Sequence, residues 1–530
     1  MPPTNATRLN KIVDNELDAR AIREITAAHK DWFISVDGRS PLSISADEFD
    51  FSVAHGRLMF SSWTEIGSRT WRINAWNWNG DKLILDASRR LGAENVKLEL
   101  IPHASAKAIV ASIAAARQER CEKLAALVAQ TLVCEAGAPD QGLKSVPVPK
   151  IERATLSPGM RRDQPGRYAR IILRLPHERI ALTGTVAQSD MRNVDALFSS
   201  ALLWFQRMLE SPKRPHIHRL LLIVEHEILD AARQRHVLLR DAFRDRIDLL
   251  EIDDDWQQVT QVAPFLRKHL WRKRLTRFPP VNEVEPSAQP TDIIARAPEA
   301  IDIVTSRHGQ TLRYHGLPFA RVRRVLDQDR IWFGIEGSRR RLLDGFHQQD
   351  WSKLFRDLET YRSEHCHDRR HWLYRASGEA WLESILRRDI TKLDPGLIIA
   401  PLHAQFRTSH GGPTGARPID LLALRHDGRL VVIELKVNED REHVFQGVDY
   451  WRRVEAHRRR GHISAAKLFG NREISDESPL VYLVAPTLHF HPSFRTLART
   501  IAPDIEIYRF DINEDWRSEV RVVRRERVNA

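Results

Sequence analysis

Ile419-Asp420-Leu421-Leu422-Ala423-Leu424-Arg425-His426-Asp427-Gly428-Arg429-Leu430-Val431-Val432-Ile433-Glu434-Leu435-Lys436-Val437 holds two apolar runs around a short polar turn. The first run begins with Asp420, and the second closes on Glu434-Leu435-Lys436. Strand residues alternate between faces, so Val431, Ile433, Leu435 and Val437 form one wholly apolar face suited to packing on helices. Glu434 and Lys436 share the other face, about 6.5–7 Å apart along the strand. Charges on so apolar a strand are costly unless they are paired or bound to a metal.

The loop length decides whether Asp420 joins them. With only Asp427-Gly428 in the turn, Asp420 faces Leu435 and lies on the wrong side. With His426-Asp427-Gly428 as a three-residue loop, position 420 lies opposite 434. Such a loop needs a left-handed residue at its end, and Gly428 occupies that place. The spacing therefore predicts the three-residue loop. Directly opposed residues have Cβ atoms about 4.5–5.5 Å apart, close enough for two carboxylates to share one ion. A slip of one residue reverses the face.

Two carboxylates are hard oxygen ligands, suited to Mg²⁺ or Mn²⁺ with retained waters. Such an ion lowers the pKa of a bound water and neutralises charge on a phosphodiester. Lys436 is then placed to orient or deprotonate the water and to stabilise a developing oxyanion. Partial burial would lower its pKa and favour the base role. The plain alternative is a salt-bridged hairpin without metal.

Length and composition bound the rest. A chain of 530 residues is expected to hold two to four domains. Its 42% hydrophobic and 29% charged residues are those of a globular protein. The net charge of +12 favours a polyanionic partner, nucleic acid above all. Cys121, Cys134 and Cys366 are odd in number and far apart, which argues against a disulfide framework and for a reducing, cytoplasmic setting. The N-terminus lacks an apolar signal core, and no apolar run approaches a membrane span, so no membrane partner is expected. No Gly-rich nucleotide loop is present, which argues against an ATP-driven motor.

The pattern along the chain predicts a multidomain α/β (α+β) protein. Residues 1–135 read as a β-rich domain with a long alanine-rich helix over 104–133. Residues 165–276 read as a mixed α/β domain, reached by a loop from about 137 to 166. Residues 277–300, with Pro279, Pro280, Pro286, Pro290 and Pro298, read as a linker. Residues 301–374 read as a connector with a hairpin over 312–335, and residues 375–530 as the last domain.

The last domain resembles the PD-(D/E)XK, or restriction-endonuclease-like, nuclease superfamily. The family core is a helix bearing a glutamate, a hairpin bearing Asp and Glu-x-Lys, and a helix often bearing Gln-x3-Tyr. Here Gly378-Glu379-Ala380-Trp381-Leu382-Glu383 opens a helix, Asp420 and Glu434-Leu435-Lys436 form the hairpin set, and Gln446-Gly447-Val448-Asp449-Tyr450 follows on a helix from about Arg441 to Arg459. Proline is missing before Asp420. The resemblance covers residues 375–530 and implies a mixed sheet flanked by helices. It implies a Mg²⁺- or Mn²⁺-dependent deoxyribonuclease, with an endonuclease favoured and RNA left open as a substrate. Asp420 and Glu434 would hold the metal and Lys436 would handle the water. Glu379, or Glu383 one turn on, would complete the set, with Glu379 preferred because it starts the helix. Gln446 and Tyr450 would contact substrate or brace the site.

Arg417 and Arg453 are candidate phosphate contacts. Arg452, Arg458, Arg459 and Arg460 join them as a basic helix face, with a solvated face as the bland reading. Arg267 to Arg274 is a second basic cluster. Trp71, Trp76 and Trp78 read as sheet core before base-stacking platform. His365-Cys366-His367 with His371 has ligand-type residues, but its charged, helix-like surroundings suggest solvent. Asp253-Asp254-Asp255 reads as a loop or cap. The other function classes left open are a non-catalytic nucleic-acid-binding module on the same fold and a defence or repair protein activated by a partner. A homodimer or another protein partner stays open with them.

Overall fold

A computed structural model describes residues 9–36, 42–54, 56–64, 67–89, 94–136, 149–159, 165–187, 194–210, 217–254, 256–272, 275–278, 288–306, 309–325, 328–335, 340–408 and 418–530. The fold is mixed α/β and multidomain, as the pattern predicts. By contact the chain divides into two compact units, 1–189 and 190–530. The division falls inside the expected 165–276 domain. Its first strands, Ala169–Arg174 and Arg179–Gly184, belong to the first unit.

The first unit is built on an antiparallel sheet whose apolar face is the alternating pattern of Phe49, Phe51, Phe60, Trp71 and Ile73. Helix Asn15–Ala27 begins with Asp14 capping Glu16 and Leu17 and buries Ala19 and Ile22 on this face. Trp71 stacks on Phe60 at 5.6 Å, and Trp76 and Trp78 pack against the same core, so the tryptophans hold the sheet together. The long helix His103–Ala136 follows. The loop expected to reach residue 166 is interrupted by strand Lys150–Leu156, which pairs with Ala169–Arg174. Its charged, largely exposed alternation hid it from a search for apolar periodicity.

The second unit opens with helix Val194–Leu209, strand Arg219–Glu225, helix His226–His236 and strand Ile247–Ile252, the last parallel to 219–225. Two expectations for the following segment are corrected. The proline-bearing linker contains helix Ala288–Arg296, because Pro290 lies in the first turn, where its missing N–H costs little. The connector is a five-stranded antiparallel sheet, 301–342, with its own core of Leu312, Phe319, Trp351 and Phe355 under helix Gln348–Tyr361.

The last part of the chain is a mixed six-stranded sheet in the order His403–Phe406, Ile419–Leu424, Leu430–Leu435, Leu480–Pro486, Ile507–Ile512, Val522–Arg527. The strand ending in Glu434 is central, antiparallel to 419–424 and parallel to 480–486. Both of its faces are buried. Val431, Ile433 and Leu435 pack with Trp381, Leu382 and Leu386 of helix Gly378–Arg388. Leu430 and Val432 pack with Tyr450 and Val454 of helix His443–Arg458. A Cβ at Gly447 would lie 2.5 Å from Leu483 Cδ2, so glycine there lets that helix press close on the sheet.

The turn has the three-residue form. Arg425 N–H donates to the Arg429 carbonyl at 2.9 Å, Gly428 has φ +80°, and Leu421 pairs with Ile433. The same register continued by one pair sets Asp420 across from Glu434. A Cβ at Gly428 would also meet the Glu473 carbonyl oxygen at 2.8 Å. Gly428→Ala is therefore expected to cost about 1–2 kcal/mol from the left-handed backbone alone, and more from the contact. Differential scanning calorimetry would read this as a lower transition for the second unit. An unchanged transition would contradict the turn.

Candidate active site on the Asp420–Glu434 hairpin

Glu434 and Asp420 come from neighbouring strands of the sheet, which buries the first and half-buries the second. Glu434 is only 2% exposed. Its Oε1 accepts from Lys436 Nζ at 2.8 Å, while Oε2 is buried and has no hydrogen-bond partner among the described residues. Asp420 Oδ2 accepts from the Leu435 N–H at 2.9 Å. Its Oδ1 lies 3.5 Å from the Gln405 amide nitrogen. Burial, and then the charge of Glu434, pushes the Asp420 carboxyl well above the ordinary range. Two neighbouring carboxylates, one of them with a buried oxygen that has no hydrogen-bond partner among the described residues, form a donor set suited to a cation.

Lys436 supplies one positive charge to this set. Its ammonium sits among three carboxylates: Glu434 at 2.8 Å, Asp440 at 3.8 Å and Glu379 at 3.9 Å. Burial alone would lower its pKa, but Glu434, Glu379 and Asp420 outweigh burial and hold it well above the usual lysine value. The expectation that burial makes Lys436 a base is therefore corrected. It is a fixed ammonium, a donor and a positive charge.

The two helix glutamates are divided between tasks. Glu379 is 45% exposed and faces Lys436. Glu383 is buried, and its oxygens accept from Arg313 at 3.2 Å and from Gln405 at 2.6 Å. The start of this helix is clamped by Arg362, which is fully buried. Its guanidinium donates to the carbonyls of Tyr314, His315, Leu373, Ala376 and Ser377 and lies 4.8 Å over Trp381. Burial, and then Arg517 nearby, lowers the Arg362 pKa to about 9.

Helix His443–Arg458 brings up the other wall. Gln446 is buried, with its nitrogen 3.5 Å from Asp440 Oδ2 and its Oε1 without a hydrogen-bond partner among the described residues. Tyr450 is buried, and desolvation followed by the charge of Glu434 raises its hydroxyl far above the ordinary value. His443 Nε2 is 3.3 Å from the Glu434 carbonyl oxygen. Burial, and then Lys436, lowers its pKa to about 3, so His443 is neutral and its ring N–H braces that strand end.

The basic helix face is also corrected. Arg453 is 9% exposed, stacked at 4.5 Å over Tyr450 and within 3.2 Å of Thr408 Oγ1. Arg458 and Arg459 both pair with the buried Glu455. Arg460 donates to backbone carbonyls of Ala456 and Trp271. The Arg453, Arg458 and Arg460 guanidiniums are taken up by partners within the protein, because a largely buried helix cannot leave charges unpaired, while Arg459 is half-exposed on top of its pairing. Arg267 of the second cluster pairs with Asp504 and lies over Trp451. Arg417 lies outside the described residues.

The remaining candidates resolve simply. His371 stacks on Tyr361 and accepts from Leu373 N–H, and Cys366 is buried; residues 362–371 are turns rather than helix. Asp253 caps the turn at Gln257 and Gln258. Among the described residues no group of three or more His, Cys, Asp or Glu side chains forms a metal-holding cluster. The hairpin offers two carboxylates and an orphaned oxygen. Mg²⁺ is commonly held by one or two carboxylates with waters and substrate phosphates, and the donors fit that pattern. Sequence reasoning missed Gln405, Arg313, Asp440 and His443. Of these only Asp440, four residues after Lys436, carried a local signal. No protein-family model, curated protein or solved structure matches the chain.

Asp449, inside the Gln446-x3-Tyr450 turn, ties this wall to the first helices of the unit. It accepts from Arg235 at 2.7 Å and from Arg452 at 2.7 Å, and Arg235 also donates to Asp195 at 2.9 Å. Burial would raise the Asp449 carboxyl, but Arg235, Arg452 and Arg453 outweigh it and hold it well below the ordinary range. A carboxyl depressed by folding stabilises above its unfolded pKa of about 3.9, and that stability is lost as pH falls below it. Asp449→Asn is thus expected to cost about 3–5 kcal/mol at neutral pH and to flatten the acid limb of stability below about pH 4. Thermal midpoints measured against pH check both, and an unaltered acid limb would contradict the pairing.

Proposed function

We propose that residues 375–530 form a Mg²⁺- or Mn²⁺-dependent nuclease of the PD-(D/E)XK type that hydrolyses phosphodiester bonds in DNA, with endonucleolytic cutting favoured. The single observation that carries this reading is the orphaned, buried Glu434 Oε2 beside the desolvated Asp420, with the Lys436 ammonium 2.8 Å from the other Glu434 oxygen. Asp420 and Glu434 would hold the ion, which when bound supplies Lewis-acid stabilisation and an activated water. Lys436 holds Glu434 in place and presents a positive charge where a phosphate oxygen would gain negative charge. Glu379, half-exposed beside Lys436, is the carboxylate open to solvent at the site. Gln446 keeps an acceptor without a partner among the described residues, and the buried Tyr450 lies on the same helix one turn on.

A second reading is a nucleic-acid-binding or partner-activated protein on the same fold. It draws on the internal pairing of Arg453 and Arg458, which leaves these two few donors for phosphates.

One experiment separates the two. The full chain is incubated with labelled duplex, branched and single-stranded DNA and with RNA, with and without Mn²⁺. Metal-dependent cutting is expected, and Glu434→Ala and Lys436→Ala are each expected to reduce it on the order of 10²–10³-fold or more while keeping a folded circular dichroism spectrum. Undiminished cutting in either variant would reject the assignment. Salt-sensitive binding without cutting would favour the second reading.

A further inference from the structure

Gln405 is a strand residue with an unusual backbone. Its neighbours Ala404 and Phe406 pair with Leu421 and Ile419, which sets Gln405 across from Asp420. Its φ is +49°, a left-handed conformation uncommon for a residue with a side chain and held only where the surroundings fix it. The residue is exposed, but its side chain reaches two carboxylates. Its amide nitrogen is 2.6 Å from Glu383 Oε2 and 3.5 Å from Asp420 Oδ1.

Behind it stands a buried ion network. Both terminal nitrogens of Arg313 lie 3.2 Å from Glu383 Oε1, and its Nε lies 2.7 Å from Asp302 Oδ1. Arg313 and Glu383 are both buried. A buried ion pair is a poor source of stability, since desolvation offsets its attraction. Glu383 would also add a further negative charge on the Asp420 side of the site if Arg313 did not neutralise it. The network makes sense as a support for the group it reaches.

We propose that Gln405 is a positioning residue for the Asp420 carboxylate, held in its strained place by Glu383 and Arg313. The chemistry suits the task. An amide is a neutral donor, so it orients a carboxylate oxygen without competing for it as a lysine or arginine would. Together with the Leu435 N–H on Oδ2, it sets a donor toward each oxygen of Asp420, the longer contact being the 3.5 Å one from Gln405. Outer partners of this kind commonly set metal affinity. The inference rests on the reading of Asp420 and Glu434 as holders of a divalent cation.

The test is Mn²⁺ binding by the full chain without nucleic acid, read from the loss of the free-ion electron paramagnetic resonance signal. The native chain is expected to bind, and Asp420→Ala to abolish binding. Gln405→Ala is expected to weaken it about 10–100-fold. Glu383→Ala is expected to follow Gln405→Ala, while Glu383→Gln, which keeps an acceptor for the Gln405 amide, stays closer to native. Native affinity in Gln405→Ala, with binding lost in Asp420→Ala, would overturn this inference alone. A lower thermal midpoint of metal-free Gln405→Ala with native Mn²⁺ affinity would also overturn it, as a purely structural role. No binding by the native chain would overturn the reading of the site, and this inference with it.

Discussion

The register of one hairpin governs the polar architecture of the second unit. With three residues in the turn, Asp420 and Glu434 stand opposite each other on the same face. With two, Asp420 would face Leu435, and the two carboxylates would lie on opposite sides of the sheet. Gly428, at φ +80°, is the residue that permits the longer turn. Once both carboxylates share a buried face, the rest follows from electrostatics. An ammonium is drawn to Glu434, the Leu435 N–H to Asp420, and one Glu434 oxygen remains without a partner among the described residues.

Burial explains why so many ion pairs surround this face. Helices cover both sides of the central strands, so every charge nearby must find a counter-charge or a hydrogen bond. Glu455 takes Arg458 and Arg459, Asp449 takes Arg235 and Arg452, and Glu383 takes Arg313. Arg362, which lacks a carboxylate in its hydrogen-bond set, takes five backbone carbonyls instead. These links reach from the walls of the site to the 301–342 sheet and to the helices at 194–236. Those parts of the unit are therefore wired to the site by polar contacts as well as by apolar packing.

The hairpin register, the apolar face of the Glu434 strand and the helices on either side were legible because they depend on alternation and turn chemistry, which are local. So was the core role of Trp71, Trp76 and Trp78. The five-stranded sheet at 301–342 was only partly legible, as one hairpin, because its strands are interrupted by arginines. The fate of Arg453 and Arg458 was not legible either. A run of arginines reads the same whether it faces water or lies under a neighbouring segment, and only tertiary packing tells the two apart. Gln405 and Arg313 lie 15 and 107 positions before Asp420 in the chain, and no spacing rule links them to it. The lysine pKa was misjudged for a related reason: burial was weighed, but the number of carboxylates gathered around the ammonium was not.

The central claim is that Asp420 and Glu434 converge on one divalent cation. Anomalous diffraction from a crystal of the full chain soaked in Mn²⁺ addresses it without recourse to activity. A single strong peak within about 2.1–2.3 Å of an oxygen from each of these two carboxylates is expected. Diffraction of good quality with no peak between them, or a peak only at other side chains, would contradict it.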